Sequence, residues 1–173
     1  EPEIPDGMFI FQEPLTQHEK MNELNPNAIN TLRIITINND GNPYVFSQIL
    51  RVGTKASGSV DNTSAGGFAV GIKEDGFLNE YGFYKPQFGT KTDKHPDTQM
   101  KLSDFRIPNY REAVELALRA HKMFYGVHSI GWDIAFTDKG PMFIEGNDNW
   151  EIGTIQVCDK PLKKRWNEAI KKG

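Results

Sequence analysis

Cysteine is almost absent from this chain: among 173 residues there is one, Cys158. A lone thiol cannot close an internal disulfide or supply a thiolate metal cluster, which points to a reduced, cytoplasmic setting. An excess of one charge is lacking too, since 20 Lys and Arg against 23 Asp and Glu leave a formal net charge of −3. That balance argues against a nucleic-acid coat or a membrane-surface protein, so neither nucleic acid nor membrane is expected as a partner. Long apolar runs are missing as well. Stretches such as Met8–Phe11 fall far below the roughly 20 residues of a spanning helix, and no early basic-then-apolar segment marks a signal peptide. No repeat, low-complexity tract or Pro/Ser linker divides the chain, whose length suits one domain with its own core.

Several common site motifs are also missing. There is no Gly-x-Gly-x-x-Gly, and Gly53–Gly58 is followed by Ser59-Val60 instead of the Lys and Ser/Thr of a phosphate loop. No Gly-x-Ser-x-Gly elbow exists. His18, His95, His121 and His128 form no pair at helical or zinc-finger spacing, so zinc is not expected.

What is present reads as strands and turns first and one long helix later. Residues 8–12 form a short apolar run, and 18–24 a brief helix ended by Asn25-Pro26. Residues 31–38 and 44–52 flank the turn Asn39-Asp40-Gly41-Asn42 and predict an antiparallel hairpin. Strand character returns over 68–73 and 77–84, and 85–106 reads as a loop. Asn109, with Glu112 three residues on, is in capping-box register for a helix carrying the stripe Ala113, Ala117, Ala120 and Phe124 and stopping at Gly126. Residues 130–137 and 142–145 form a second hairpin, and 161–172 a closing basic helix. Hairpins with an inserted helix predict an α+β fold, an antiparallel sheet with packed helices.

The chemistry gathers on the late hairpin. Asp133 lies mid-strand among apolar neighbours, and Glu145 and Asn147, two apart, share a face. If the strands pair through the turn at 138–141, two carboxylates and an amide converge. A hard cation, Mg²⁺ or Mn²⁺, would remove their repulsion. Spacing alone leaves a second reading open, in which Asp133 caps a turn and 145–149 is a solvated loop.

Asp133 followed by Glu145-x-Asn147 resembles the metal signature of the ATP-grasp superfamily. Asn30-Thr31-Leu32-Arg33-Ile34, Leu50-Arg51-Val52-Gly53, Asp61-Asn62-Thr63-Ser64-Ala65-Gly66-Gly67 and Gly131-Trp132-Asp133 resemble, in order, its sugar-transfer-associated family. Some members of that family are labelled hexapeptide transferase family proteins, although this chain has no hexapeptide repeat. The same order is similar to that of glutamate-adding ATP-grasp ligases.

The resemblance implies an ATP-grasp C-terminal subdomain. In it, 1–20 would be a strand and adenine hinge, 28–157 the metal- and phosphate-binding sheet and 161–172 a terminal helix, all within one domain over 1–173. A complete unit has another half before the hinge, so that missing N-terminal half becomes an expected partner. The implied activity is an ATP-dependent carboxylate–amine or carboxylate–thiol ligase working through an acyl phosphate. Its substrate would be a small-molecule, sugar-linked or peptide-linked carboxylate, and its setting polysaccharide or peptide-conjugate biosynthesis. Asp133, Glu145 and Asn147 would hold Mg²⁺ or Mn²⁺, and Arg33 and Arg51 would meet the phosphoryl group or the substrate carboxylate. Asn62, with Gly66 and Gly67, would lie near the triphosphate, and Gln12, Glu13, Leu15 and His18 near the adenosine. For either arginine alone, a solvent-facing strand residue in a weak ion pair is the competing reading. Two other functions remain open: a non-catalytic nucleotide- or glycan-binding module using Trp132 and Trp150, and a metal-dependent phosphohydrolase.

Overall fold

The computed structural model describes residues 13–85, 89–159 and 161–170. The apolar run at 8–12 and Gln12 lie outside them. A mixed α+β arrangement is built on one seven-stranded antiparallel sheet, ordered β5-β4-β3-β2-β1-β6-β7. Its strands are β1 (Leu32–Asn39), β2 (Asn42–Val52), β3 (Phe68–Ile72), β4 (Leu78–Phe83), β5 (Lys91–Thr92), β6 (Ser129–Thr137) and β7 (Gly140–Asn147). The helices are α1 (Glu19–Leu24), α2 (Tyr110–His121), α3 (Gly153–Cys158) and α4 (Leu162–Ile170).

Alternation along the strands sorts the core into two layers. Leu32 and Ile34 of β1, Leu50 and Val52 of β2, and Trp132, Ile134 and Phe136 of β6 pack with Met21 and Leu24 of α1 and Ala113 and Ala117 of α2. Ile35, Ile37, Ile49 and Ala69 face the other way, onto Ile155 and Cys158 of α3 and Leu162 and Ala169 of α4. The second layer is shorter. Where its apolar residues give out, Arg33, Arg51 and Asp133 occupy the same side of the sheet.

Two of the sheet's irregularities set the register around Arg33 and Asp133. Ser47 pairs with Ile35 and Val45 with Thr36, leaving a bulge at Phe46. On β7, Glu145 pairs with Asp133 whereas Phe143 pairs with Ile134, so Ile144 is the extra residue. The second bulge lets Phe143 pack on Trp132 on the α2 side, ring centroids 4.8 Å apart, while Glu145 and Asn147 stay on the side of Asp133.

A buried amide network joins the strand entrances. Asn30 donates to Gln17 Oε1 (2.9 Å) and to the Asn25 carbonyl (3.0 Å), and its Oδ1 accepts from the Gly53 N–H (3.1 Å). The start of β1 is thereby tied to the end of β2, three and two residues from the site arginines.

The sequence expectations need three corrections. Asn109 precedes α2 but takes a left-handed conformation (φ 49°) and makes no side-chain cap, so the expected capping box does not form. Asn tolerates that conformation, but it is not the extended one that a capping residue takes. The helix ends at His121, and Gly126, with φ +79°, belongs to the turn beyond it. The segment expected as a loop at 85–106 contributes β5 and, at its end, a 3-10 turn at Leu102–Asp104. Leu102 and Phe105 enter the core, and buried His95 meets the Gly53 carbonyl through Nε2 at 2.9 Å.

Burial disfavours the charged form of one histidine. His121 is fully buried, its Nε2–H donates to the Val127 carbonyl (3.0 Å), and its Nδ1 accepts from the Thr36 hydroxyl (2.6 Å). Burial, more than the nearby His128, pushes its pKa below the ordinary 6.5. The unfolded chain therefore takes up a proton that the folded chain refuses, and this contribution to stability is complete above about pH 6.5 and is lost as pH falls below it. Urea titrations at pH 7.5 and 5.5 should show wild-type stability falling by up to about 1.4 kcal/mol per pH unit through this group. His121→Gln should reduce that slope; an unchanged slope would assign the acid sensitivity elsewhere.

Candidate functional site

Arg33 sits opposite Asp133, and Asp133 opposite Glu145, so one row crosses β1, β6 and β7. Arg33 grips Asp133 through two parallel hydrogen bonds, Nε to Oδ1 and Nη2 to Oδ2, the latter at 2.7 Å. From β2, Arg51 Nη1 reaches the same Oδ2 at 3.1 Å. Its Nη2 pairs with Asp61 Oδ1 at 2.8 Å. Asp61 Oδ2 in turn accepts from the Thr31 backbone N–H (3.0 Å) and from the Thr31 hydroxyl.

Water is largely excluded from this chain of charges. The Asp133 side chain is 4% exposed and that of Arg33 12%, so the solvent-facing ion pair that sequence allowed for Arg33 is not what forms. Asp133 is in mid-strand and caps no turn. Burial works against the Arg33 charge, but the hydrogen bonds and charge of Asp133, aided by Glu145 and Asp61, outweigh it and raise its pKa further. Two guanidinium and two carboxylate groups also cancel, leaving a neutral cluster.

The cluster forms one wall of a cavity of about 580 Å³. Arg33, Arg51, Asn62, Ser64, Lys85, Glu145, Glu151 and Thr154 line it, with Ile49 and Ile155 among its apolar lining. Asn62 caps the 3-10 turn Thr63–Ala65, its Oδ1 accepting from Ser64 N–H at 3.1 Å. Gly66 closes that turn with φ +107°. Gly67 lies against β2, where an added Cβ would stand 2.8 Å from the carbonyl oxygens of Asp61 and Val52. Asn147 donates to Glu145 Oε1 (3.1 Å) and more weakly to the Gly131 carbonyl (3.4 Å).

A family model described as sugar-transfer associated ATP-grasp matches residues 4–172. The chain belongs to the sugar-transfer associated ATP-grasp family. No curated protein and no solved structure matches it. ATP-grasp membership implies ATP-dependent, ligase-type chemistry using ATP and Mg²⁺. No described helix is long and apolar enough to cross a membrane.

Of the residues singled out for ATP-grasp chemistry, Arg33, Arg51, Asn62 and Glu145 share the cavity, with Asp133 behind the arginines and Asn147 beside Glu145. Gly66 and Gly67 shape the Asn62 turn. Glu13, Leu15 and His18 are not among the lining residues. Glu13 is exposed, and His18 caps α1, with its N–H on the Phe136 carbonyl at 2.8 Å, three residues along β6 from Asp133. Sequence reading gave no role to Asp61, Lys85, Glu151 or Thr154. Asp61 stood inside a quoted motif, whereas Lys85 and α3 carried no periodic signal.

The donor chemistry can be weighed directly. Among the described residues no three His, Cys, Asp or Glu side chains come together as a ligand set. The candidate set is two carboxylates and an amide on one side of the sheet, all hard oxygen donors of the kind Mg²⁺ takes. Asp133 Oδ2 already accepts from both arginines, whereas Oδ1 accepts from Arg33 and keeps a second lone pair. Such a set fits a divalent ion that keeps several of its own waters. Cys158 is no rival nucleophile, because burial pushes its thiol pKa up to about 12 and its Sγ–H donates to the Ala69 carbonyl. Trp132 is buried on the α2 side, and Trp150 packs on Phe46 and Trp166 with its N–H on Ser129, which counts against a sugar platform built on the two.

Proposed function

We propose that this chain carries the metal- and phosphate-binding side of an ATP-dependent, Mg²⁺-requiring carboxylate–amine or carboxylate–thiol ligase acting in polysaccharide or peptide-conjugate biosynthesis. The supporting observation is the row Arg33–Asp133–Glu145 with Arg51 beside it, on one side of the sheet and at the wall of one cavity. Mg²⁺, held by Glu145, Asn147 and Asp133, would offset the charge of the β- and γ-phosphates.

The remaining work falls to side chains. Forming an acyl phosphate requires a carboxylate oxygen to approach a phosphorus whose oxygens are already negative, so positioning and charge neutralisation dominate and no protein nucleophile is needed. Arg33 and Arg51 are planar donors fixed in place before any ligand arrives, suited to carboxylate or phosphoryl oxygens. Lys85 lines the same cavity, makes no ion pair among the described residues, and supplies a charge that the arginines, already balanced by Asp61 and Asp133, do not. Asn62 and Ser64 add uncharged hydrogen-bonding groups.

The test is ADP formation by the full-length protein, dependent on both Mg²⁺ and an acceptor. Glu145→Gln keeps the shape and removes one charge. It should cut turnover by about a hundredfold or more and leave the melting temperature unchanged, because Glu145 is exposed. Full turnover in that variant would remove Glu145 from the site, and phosphate release with water as sole acceptor would favour a phosphohydrolase.

A further inference from the structure

We infer that Asp61 is a positioning residue for Arg51, the anchor that keeps this guanidinium at the cavity wall independently of Asp133. The inference rests on the ligase reading only for what Arg51 meets, not for how it is held. Arg51 has two carboxylate partners of different character. Asp133 is shared, since both its oxygens serve Arg33 and one of them also takes Arg51 Nη1 at the longer distance of 3.1 Å. Among the described residues Asp61 serves no other arginine. Its Oδ1 takes Arg51 Nη2 at 2.8 Å, while its Oδ2 is fixed by the backbone N–H and the hydroxyl of Thr31. Thr31 is itself fixed, because its carbonyl accepts from the Arg51 N–H at 2.8 Å, so the side chain and backbone of Arg51 close a loop through Thr31 and Asp61.

If Asp133 turns an oxygen toward a cation, Arg51 loses a partner that Arg33 retains through its second hydrogen bond. Asp61 then alone sets where the Arg51 fork points. Without it, a long side chain would have to be ordered by the ligand, at a cost in affinity.

In the full-length protein, nitrogen-detected NMR of the arginine side chains should give resolved, slowly rotating Nη signals for Arg51, and Asp61→Asn should average them while leaving those of Arg33 unchanged. Calorimetry with the magnesium complex of a non-hydrolysable ATP analogue should show affinity roughly tenfold or more lower in Asp61→Asn. That loss should vanish when Arg51 is already alanine, which a general folding defect would not produce. If Asp61→Asn does not fold, Thr31→Val, which replaces the hydroxyl by a methyl group, carries the test and should loosen the same Arg51 signals. Arg51 signals that stay sharp in these variants, or an equal loss of affinity with and without Arg51, would overturn the inference. Failure of the wild-type protein to bind the analogue would instead count against the ligase reading, and the Arg51 signals would still decide the role of Asp61.

Discussion

Asp133→Ala should destabilise the domain by about 3–5 kcal/mol, because it strands the Arg33 charge in a place where water is scarce. Against a typical total of about 5–15 kcal/mol that is a large fraction, and the melting temperature should drop by roughly 10 °C. The penalty comes from the unpaired cation more than from any large net worth of the pair. Replacing both partners, Arg33→Met with Asp133→Leu, should therefore recover most of the stability. The same double variant should not bind Mg²⁺–ATP, which separates folding from function in one experiment. Thermal melts and urea titrations of the two variants check this. A single variant within about 1 kcal/mol of wild type would show that solvent screens the pair far more than its 4% and 12% exposures imply.

Gly67→Ala is the second substitution with a large expected effect. Its added methyl carbon would meet the backbone carbonyl oxygens of Asp61 and Val52 at 2.8 Å and of Asn62 at 3.0 Å. None of these can swing aside as a side chain could, so the 61–67 turn must move off β2. We expect a loss of about 1–3 kcal/mol, together with weaker nucleotide affinity, since Asp61 and Asn62 move with the turn. Calorimetric titration and a thermal melt of the same sample test both effects. The family resemblance placed Gly67 near a triphosphate, whereas its surroundings give it a steric reason: no side chain fits between the turn and the strand.

Much of the fold was legible because its periodicities are local. The 31–38 and 44–52 hairpin, the late hairpin and the α2 stripe follow from alternation, turn residues and helical spacing, and the α+β class follows from their order. What sequence missed depends on partners distant along the chain. Leu102 and Phe105 belong to an aperiodic stretch and enter the core where their turn packs on β4. α3 has six residues and starts where Glu151 accepts from the Gly153 and Thr154 N–H groups, a cap that spacing did not flag. In the site, family motifs pointed to Arg33, Arg51, Asp133 and Glu145, but not to the bonds among them. Arg33 and Asp133 stand 100 residues apart, and nothing local says that they meet. Asp61 escaped notice for a related reason: beside an asparagine in a polar turn it resembles any turn aspartate until β1 brings Thr31 against it.

The extra residue at Ile144 fixes an arithmetic of odd and even positions. With strict pairing carried on from Thr137 opposite Gly140, Asp133 would face residue 144, and Glu145 and Asn147 would emerge on the side of Trp132. A hairpin of the same length paired without that bulge would keep both acidic side chains in the sequence, yet set them on opposite surfaces of a sheet no ligand can straddle. The unpaired residue at Ile144 is thus as much a part of the site as the carboxylates themselves.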